Sequence, residues 1–216
     1  MPTSPTPDLS ADLSRRIRLV RRDIGDLLCH FTRGADPVYE DLNGIRVNTA
    51  ESAENKLTKI LRLGALLGSS KWTHGIDTVC FTEAPIHEFN ALMELASIAT
   101  EQHQRPRYEP YGVAVSKSWL FGQGGRPVIY DSPAAEKAFP KKLKYRYCRY
   151  DPINGDDYTW EREWRIATTR LQLDPKQTLV IVPSASEAFD IVHSYGQQCD
   201  RFIKPTWLAV SLDMFG

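Results

Sequence analysis

The sequence predicts a mixed α+β domain, and three observations carry that expectation. Strand-like segments outnumber helical ones, and the two do not alternate strictly as a doubly wound parallel sheet requires. No glycine-rich fingerprint of the dinucleotide or P-loop type opens a helix. At 216 residues with 42% hydrophobic content, the chain suits one well-buried domain, expected over 9–216 after a flexible start at 1–8.

The elements follow from spacing. Leu9, Leu13, Ile17 and Val20 recur at helical intervals among five arginines, which predicts an amphipathic helix over 9–22 with a basic face, a solvated outer face being the plain explanation and a nucleic-acid arm the alternative. Residues 27–32 read as a strand, and 33–50, rich in Gly, Pro, Asp and Asn, as a loop long enough to serve as a lid. Leu57, Ile60, Leu61, Ala65 and Leu66 predict a helix from Ala53 to Leu67, broken at Gly68. The strand 77–82 comes next. Pro85 then suits a helix first turn, so a helix over 86–102 is expected. Further strands are expected at 111–116, 126–131, 159–167, 178–183 and 206–212, with short helices at 133–141 and 185–195. The glycine-rich stretch after Lys117 reads as the turn of a hairpin joining 111–116 to 126–131.

Lys plus Arg and Asp plus Glu both total 27, so attraction to a polyanion must come from local patches. Cys29, Cys80, Cys148 and Cys199 are far apart and without metal-site spacing, which predicts reduced thiols. No apolar stretch approaches the roughly 20 residues a bilayer needs, and the polar N-terminus lacks a signal-peptide core. A cytoplasmic chain with no membrane partner is the expectation.

TWEREWRI, 159–166, is the segment that most suggests chemistry. Read as a strand, it sets Glu161, Glu163 and Arg165 on one face and Arg162, Trp164 and Ile166 on the other. Two carboxylates on one face repel unless a cation or ligand hydroxyl lies between them, which marks a candidate site; a salt-bridged surface strand is the plain alternative. His30 interrupts an apolar strand where Val or Ile would be usual, and a satisfied core histidine is its plain explanation.

Three segments in this order resemble the ADP-ribosyltransferase superfamily. LCHFT at 28–32, followed by the helix containing KILRLGAL, looks like the opening of the DarT toxins and of poly(ADP-ribose) polymerases. GIDTVCFTEAPIHEFNAL at 75–92 is similar to their second motif, and TWEREWRI resembles the strand bearing their catalytic glutamate. The resemblance implies a split β-sheet core with flanking helices and NAD as co-substrate. It implies that Glu163 is catalytic, that Glu161 orients or deprotonates the acceptor, and that His30 contacts the nicotinamide ribose. Phe31, Thr32, Phe81, Thr82 and Phe89 would complete the cofactor wall, with Phe89 near where many relatives carry a stacking tyrosine. A carboxylate beside the ribose would stabilise the positive charge that develops as the nicotinamide bond breaks.

Two further features are candidates. Arg126, after the glycine-rich turn, is placed to reach a pyrophosphate, since a guanidinium offers two parallel donors. PKKLKYRYCRY at 140–150 interleaves cations with tyrosines, so Lys144, Tyr145, Arg146, Tyr147 and Arg149 form a candidate nucleic-acid surface, with a charge-protected edge strand as the competing explanation. His74, His87 and His103 lack ligand spacing, and no metal site is expected.

The expected function is transfer of ADP-ribose from NAD to a macromolecule, with DNA or RNA the acceptor that the DarT resemblance implies. Its setting would be a toxin or phage-defence protein, with an antitoxin as partner. Two alternatives stay open: a catalytically inactive nucleotide- or partner-binding domain of the same fold, and a metal-dependent nucleic-acid-processing enzyme.

Overall fold

A computed structural model describes residues 25–35, 39–42, 45–48, 50–89, 108–197 and 207–215. Within them the chain is mixed α+β. Its strands are Leu27–Phe31 (β1), Tyr39–Leu42 (β2), Ile45–Asn48 (β3), Ala65–Leu67 (β4), Thr78–Phe81 (β5), Gly112–Ser116 (β6), Arg126–Pro127 (β7), Ile129–Asp131 (β8), Tyr147–Arg149 (β9), Trp164–Ala167 (β10), Arg170–Gln172 (β11), Thr178–Val182 (β12) and Leu208–Ser211 (β13). Its helices are Ala53–Leu63 (α1), Lys117–Gly122 (α2) and Ala185–Gln197 (α3). The helix expected over 9–22 lies outside the described residues, as does most of the one expected over 86–102. What is described of the latter begins with a 3-10 turn, Ile86–Glu88.

Two sheets form the body. One has the order β1-β6-β12-β13 and the other β5-β10-β7. They meet where Cys29 and Thr82 exchange backbone hydrogen bonds, each 2.8 Å long. Continued antiparallel pairing would next match Phe31 with Cys80 and give the Cys80 carbonyl to the Phe31 N–H. The His30 ring takes that carbonyl instead, with Nδ1 at 2.7 Å. A side chain thus stands in for a ladder bond at the seam.

The core lies over both sheets. Leu28, Val113, Val115, Val180 and Val182 from the first meet Val79, Phe81, Trp164 and Ile166 from the second. Helix α1 closes this layer with Ala53, Leu57 and Leu61, spaced four apart so that they fall on one buried stripe. Ser52 caps its N-terminus by accepting from the Asn55 N–H at 3.1 Å. Helix α3 packs on β12 and β13, which pair in parallel, and it begins with a capping box in which Ser184 and Glu187 bond each other's backbone N–H.

Several expectations are corrected. Helix α1 stops at Gly64, not Gly68, because Gly64 adopts φ 62 and closes the helix from its own N–H to Ile60. Residues 65–67 then pair with β11 as a strand. The expected 33–50 loop contains the hairpin of β2 and β3, whose sequence signal is Asn43-Gly44 between the two strands. The stretch after Ser116 is a helix, α2, capped by the Ser116 hydroxyl, so β6 and β7 form no hairpin and belong to different sheets. The strand expected over 159–167 is a strand only from Trp164.

Candidate functional site

A cleft of about 640 Å³ opens beside β5 and β10. Glu161, Glu163, Arg165 and Cys80 lie in its wall, together with Tyr108 and Tyr158. Its size falls within the range of small-molecule and cofactor sites.

Glu163 and Arg165 form its most ordered part. Arg165 Nε donates to Glu163 Oε1 at 2.7 Å and Nη2 to Oε2 at 2.8 Å, a two-pronged pair between alternate residues of one extended segment. The remaining nitrogen, Nη1, donates to the carbonyls of Tyr145 and Tyr147, at 2.7 and 2.9 Å. Both side chains are largely buried, 8% exposed for Arg165 and 12% for Glu163. Burial works against the guanidinium charge, but the Glu163 bridge outweighs it and holds the group protonated far above any working pH. Cys80 sits opposite Arg165 across the β5–β10 ladder. Burial, and then the charge of Glu163 and a hydrogen bond to it, push the Cys80 thiol well above its ordinary range, so it remains a thiol. Burial alone pushes Cys29 up to about 12. Cys29, Cys80 and Cys148 take part in no disulfide among the described residues, while Cys199 lies outside them.

Glu161 reaches the cleft by a different route from the expected one. Thr159–Glu161 is a 3-10 turn, and Arg162 follows it at φ 45, so the alternation argument fails before Trp164. Arg162 in the left-handed region reorients the chain between the carboxylates. Several bonds hold the turn: the Thr82 hydroxyl donates to the Glu161 carbonyl at 2.6 Å, which also accepts from the Glu83 N–H at 3.2 Å, Asp157 accepts from the Thr159 hydroxyl at 2.6 Å and from its N–H at 3.0 Å, and Tyr130 donates to the Tyr158 carbonyl at 3.1 Å. The same Tyr130 hydroxyl accepts from the Glu163 N–H at 3.1 Å. Both carboxylates therefore border one cleft, with Glu161 only 6% exposed.

The other expected cofactor residues fall mainly behind this wall. His30 is half-buried and does not line the cleft, but its bond to the Cys80 carbonyl joins it to a residue that does. Burial lowers the His30 pKa, and the Cys80 carbonyl offsets this only in part. Phe81 is core, 5.8 Å from the His30 ring. The Thr32 hydroxyl is taken by the carbonyls of Ala53 and Tyr111, each at 2.9 Å, and Thr82 supports the Glu161 turn. Phe89 is fully buried against Phe31, with ring centres 4.3 Å apart, and Tyr108 packs on both rings. Arg126 folds back on its own loop, donating to the Phe121 and Gly125 carbonyls and lying 3.8 Å over the Phe121 ring, and it is not in the cleft wall.

The basic-aromatic segment is also rearranged. Lys141–Arg146 is a 3-10 turn, so only Tyr147–Arg149 is a strand. Tyr147 is buried against Phe139 and His74 with its hydroxyl bonded to the Ser132 carbonyl, which removes it as a stacking surface. Arg149 is paired with Asp151 and Asp156, and Arg146 donates to the Pro127 carbonyl. The backbone carbonyl of Tyr145 serves Arg165. Lys144 is half-buried.

Arg33, Trp72, His74, Tyr108 and Tyr158 line the cleft and were not singled out for it by sequence pattern. His74 holds φ 55, an uncommon conformation for a non-glycine residue, and lies 3.6 Å from Glu136. Tyr108 and Tyr158 stand in irregular chain, where no periodicity marks them. Compared with protein-family models, curated proteins and solved structures, the chain matches none. Among the described residues no helix is long and apolar enough to cross a membrane.

Proposed function

We propose that the protein is an NAD-dependent ADP-ribosyltransferase acting on a macromolecule, with Glu163 as the catalytic carboxylate. One observation carries this: the buried Glu161 and the partly buried Glu163 border a single cleft at the seam of a two-sheet core, with His30 on the adjoining strand. In such a site the bond between ribose C1′ and nicotinamide breaks, nicotinamide leaves with the electron pair, and an acceptor oxygen or nitrogen bonds to C1′. Glu163 would oppose the positive charge on the ribose, an electrostatic role that is worth most in a partly water-excluded cleft. Arg165 acts as a positioning residue, fixing the carboxylate by two bonds. Glu161 would take the acceptor proton, which requires hydrogen-bond reach of the attacking atom. Tyr108 and Tyr158 supply the aromatic surface that the resemblance places at Phe89. A toxin or phage-defence role fits such chemistry, and an antitoxin would be its partner.

The test is to incubate the purified chain with NAD labelled in the adenylate half and to follow both free nicotinamide and label on added nucleic acid or lysate protein. Glu163→Gln, which keeps the shape of the side chain, should lower nicotinamide release by about 100-fold or more. Glu161→Gln should lower transfer more than hydrolysis. A folded wild-type chain that leaves NAD intact would overturn the proposal. The locked Glu163–Arg165 pair favours one second reading, a non-catalytic nucleotide-binding domain, because the guanidinium occupies one edge of the carboxylate. Saturable NAD binding without turnover would select it.

A further inference from the structure

Glu83 follows β5 at the seam of the two sheets and carries a partly buried carboxylate to which the proposed reaction gives no role. Its side chain is only 15% exposed, and it does not line the cleft. Oε1 accepts from the Lys117 ammonium at 2.7 Å, and Oε2 accepts from the Trp164 indole N–H at 2.8 Å. Lys117 opens α2 directly after β6 of the first sheet, whereas Trp164 opens β10 of the second. One oxygen therefore serves each sheet.

The backbone of the same residue reaches the carboxylate-bearing turn. The Glu83 N–H donates to the Glu161 carbonyl at 3.2 Å, beside the Thr82 hydroxyl. Glu83 thus grips the chain on both sides of the left-handed Arg162, at Glu161 by its backbone and at Trp164 by its side chain. Only Arg162 and Glu163 lie between the two grips. Trp164 packs in the core, on the face of β10 opposite Arg165 and the cleft, so the hold acts from behind the wall. Tyr130 spans the same break, accepting from the Glu163 N–H and donating to the Tyr158 carbonyl. A partly buried ion pair such as Lys117–Glu83 contributes little net stability. What a carboxylate with two committed oxygens adds is direction.

We infer that Glu83 is a positioning residue that fixes the spacing of Glu161 and Glu163 through its bonds to the Glu161 carbonyl and the Trp164 indole. The inference deepens the transfer reading and rests on it for its effect on turnover. Attack by an acceptor needs both carboxylates in register about one reacting centre, where a misplacement of about 1 Å can cost about 100-fold. Release of nicotinamide needs Glu163 alone, and Arg165 still holds that carboxylate by two bonds. Loosening Glu83 should therefore separate the two steps.

Two readouts on the full chain test this, and the first needs no NAD. In hydrogen–deuterium exchange, Glu83→Ala should speed exchange over 159–166 about 10-fold relative to the strand 178–182. Trp164→Phe, which deletes the indole N–H and keeps a ring in the core, should do the same. Glu83→Gln should lose less, because its amide oxygen can still accept from the indole. In the second readout, NAD labelled in the adenylate half gives the label transferred per nicotinamide released. That ratio should fall about 10-fold in Glu83→Ala and Trp164→Phe, and less in Glu83→Gln. It does not depend on how much of the sample is folded, so a merely structural role would leave it unchanged. Unaltered relative exchange in Glu83→Ala and Trp164→Phe, a constant ratio in variants that still turn NAD over, or a Glu83→Gln as disturbed as Glu83→Ala would each overturn the inference. If the wild type leaves NAD intact while both variants speed exchange over 159–166, the hold on the carboxylates stands and the transfer reading alone falls.

Discussion

His30 donates from Nδ1 to the Cys80 carbonyl at 2.7 Å, across the seam where the two sheets part. Burial lowers the pKa of this ring below its ordinary value near 6.5, so the folded chain keeps it neutral while the unfolded chain protonates it. The folded state therefore binds fewer protons below that pH. The His30 contribution to stability is complete above about pH 6.5 and is lost as pH falls, by up to about 1.4 kcal/mol per unit. Urea denaturation at about pH 5 and pH 7.5 should show wild type losing more stability on acidification than His30→Phe. Equal losses would show that the ring protonates freely in the fold.

Arg165 serves a carboxylate and two carbonyls at once, so its removal should be costly. Arg165→Met strips Glu163 of its partner and leaves the Tyr145 and Tyr147 carbonyls unpaired within a largely buried site. A loss of about 3–5 kcal/mol is expected. Adding Glu163→Leu should restore part of it, because the double variant buries no lone charge. Two chemical denaturation midpoints decide this, and strict additivity would show that the pair is energetically independent.

Strands at 27–31, 78–81, 112–116, 178–182 and 208–211 were legible because apolar and β-branched residues dominate each, and burial selects such runs whatever their neighbours. The two carboxylates were legible as a pair, but their geometry was not. Arg162 takes φ 45, which nothing in an arginine announces, and the Thr82 hydroxyl that holds the turn comes from 79 residues away. The same holds for Arg126, where alternation cannot show that Phe121, in an unforeseen helix, would capture the guanidinium. Tyr147 looked available because its neighbours are basic, yet Phe139 and His74 enclose it. Side chains fixed by distant partners are what local pattern cannot reach.

Thr82 tests how far the Glu161 turn depends on one hydroxyl. It donates to the Glu161 carbonyl and accepts from the Ala84 N–H at 3.1 Å, both in a buried setting. Thr82→Val keeps the shape and deletes both bonds, for an expected loss of about 1–3 kcal/mol. Thr82→Ser should lose less, since it keeps the hydroxyl. If the proposed transfer holds, Thr82→Val should depress label transfer more than nicotinamide release, as the turn carries Glu161 and not Glu163. Parallel falls in both would place the effect on the whole site.

Gly68 and Gly122 should respond in opposite directions to the same added methyl. At Gly68 a Cβ would collide with the backbone carbonyl of Thr168, and the Gly68 N–H is already committed to the Thr169 carbonyl at 2.9 Å. Neither side of that contact is a flexible side-chain end, so the backbone linking β4 to β11 must shift. Gly68→Ala should cost about 1–3 kcal/mol. At Gly122, the last residue of α2, a Cβ meets nothing within 4 Å. Alanine also restricts the unfolded chain more than glycine does, so Gly122→Ala should be neutral or stabilise by up to about 1 kcal/mol. Thermal denaturation of both variants checks the contrast. A tolerated Gly68→Ala would mean that the β4–β11 pair moves freely against the strand leading to Thr168.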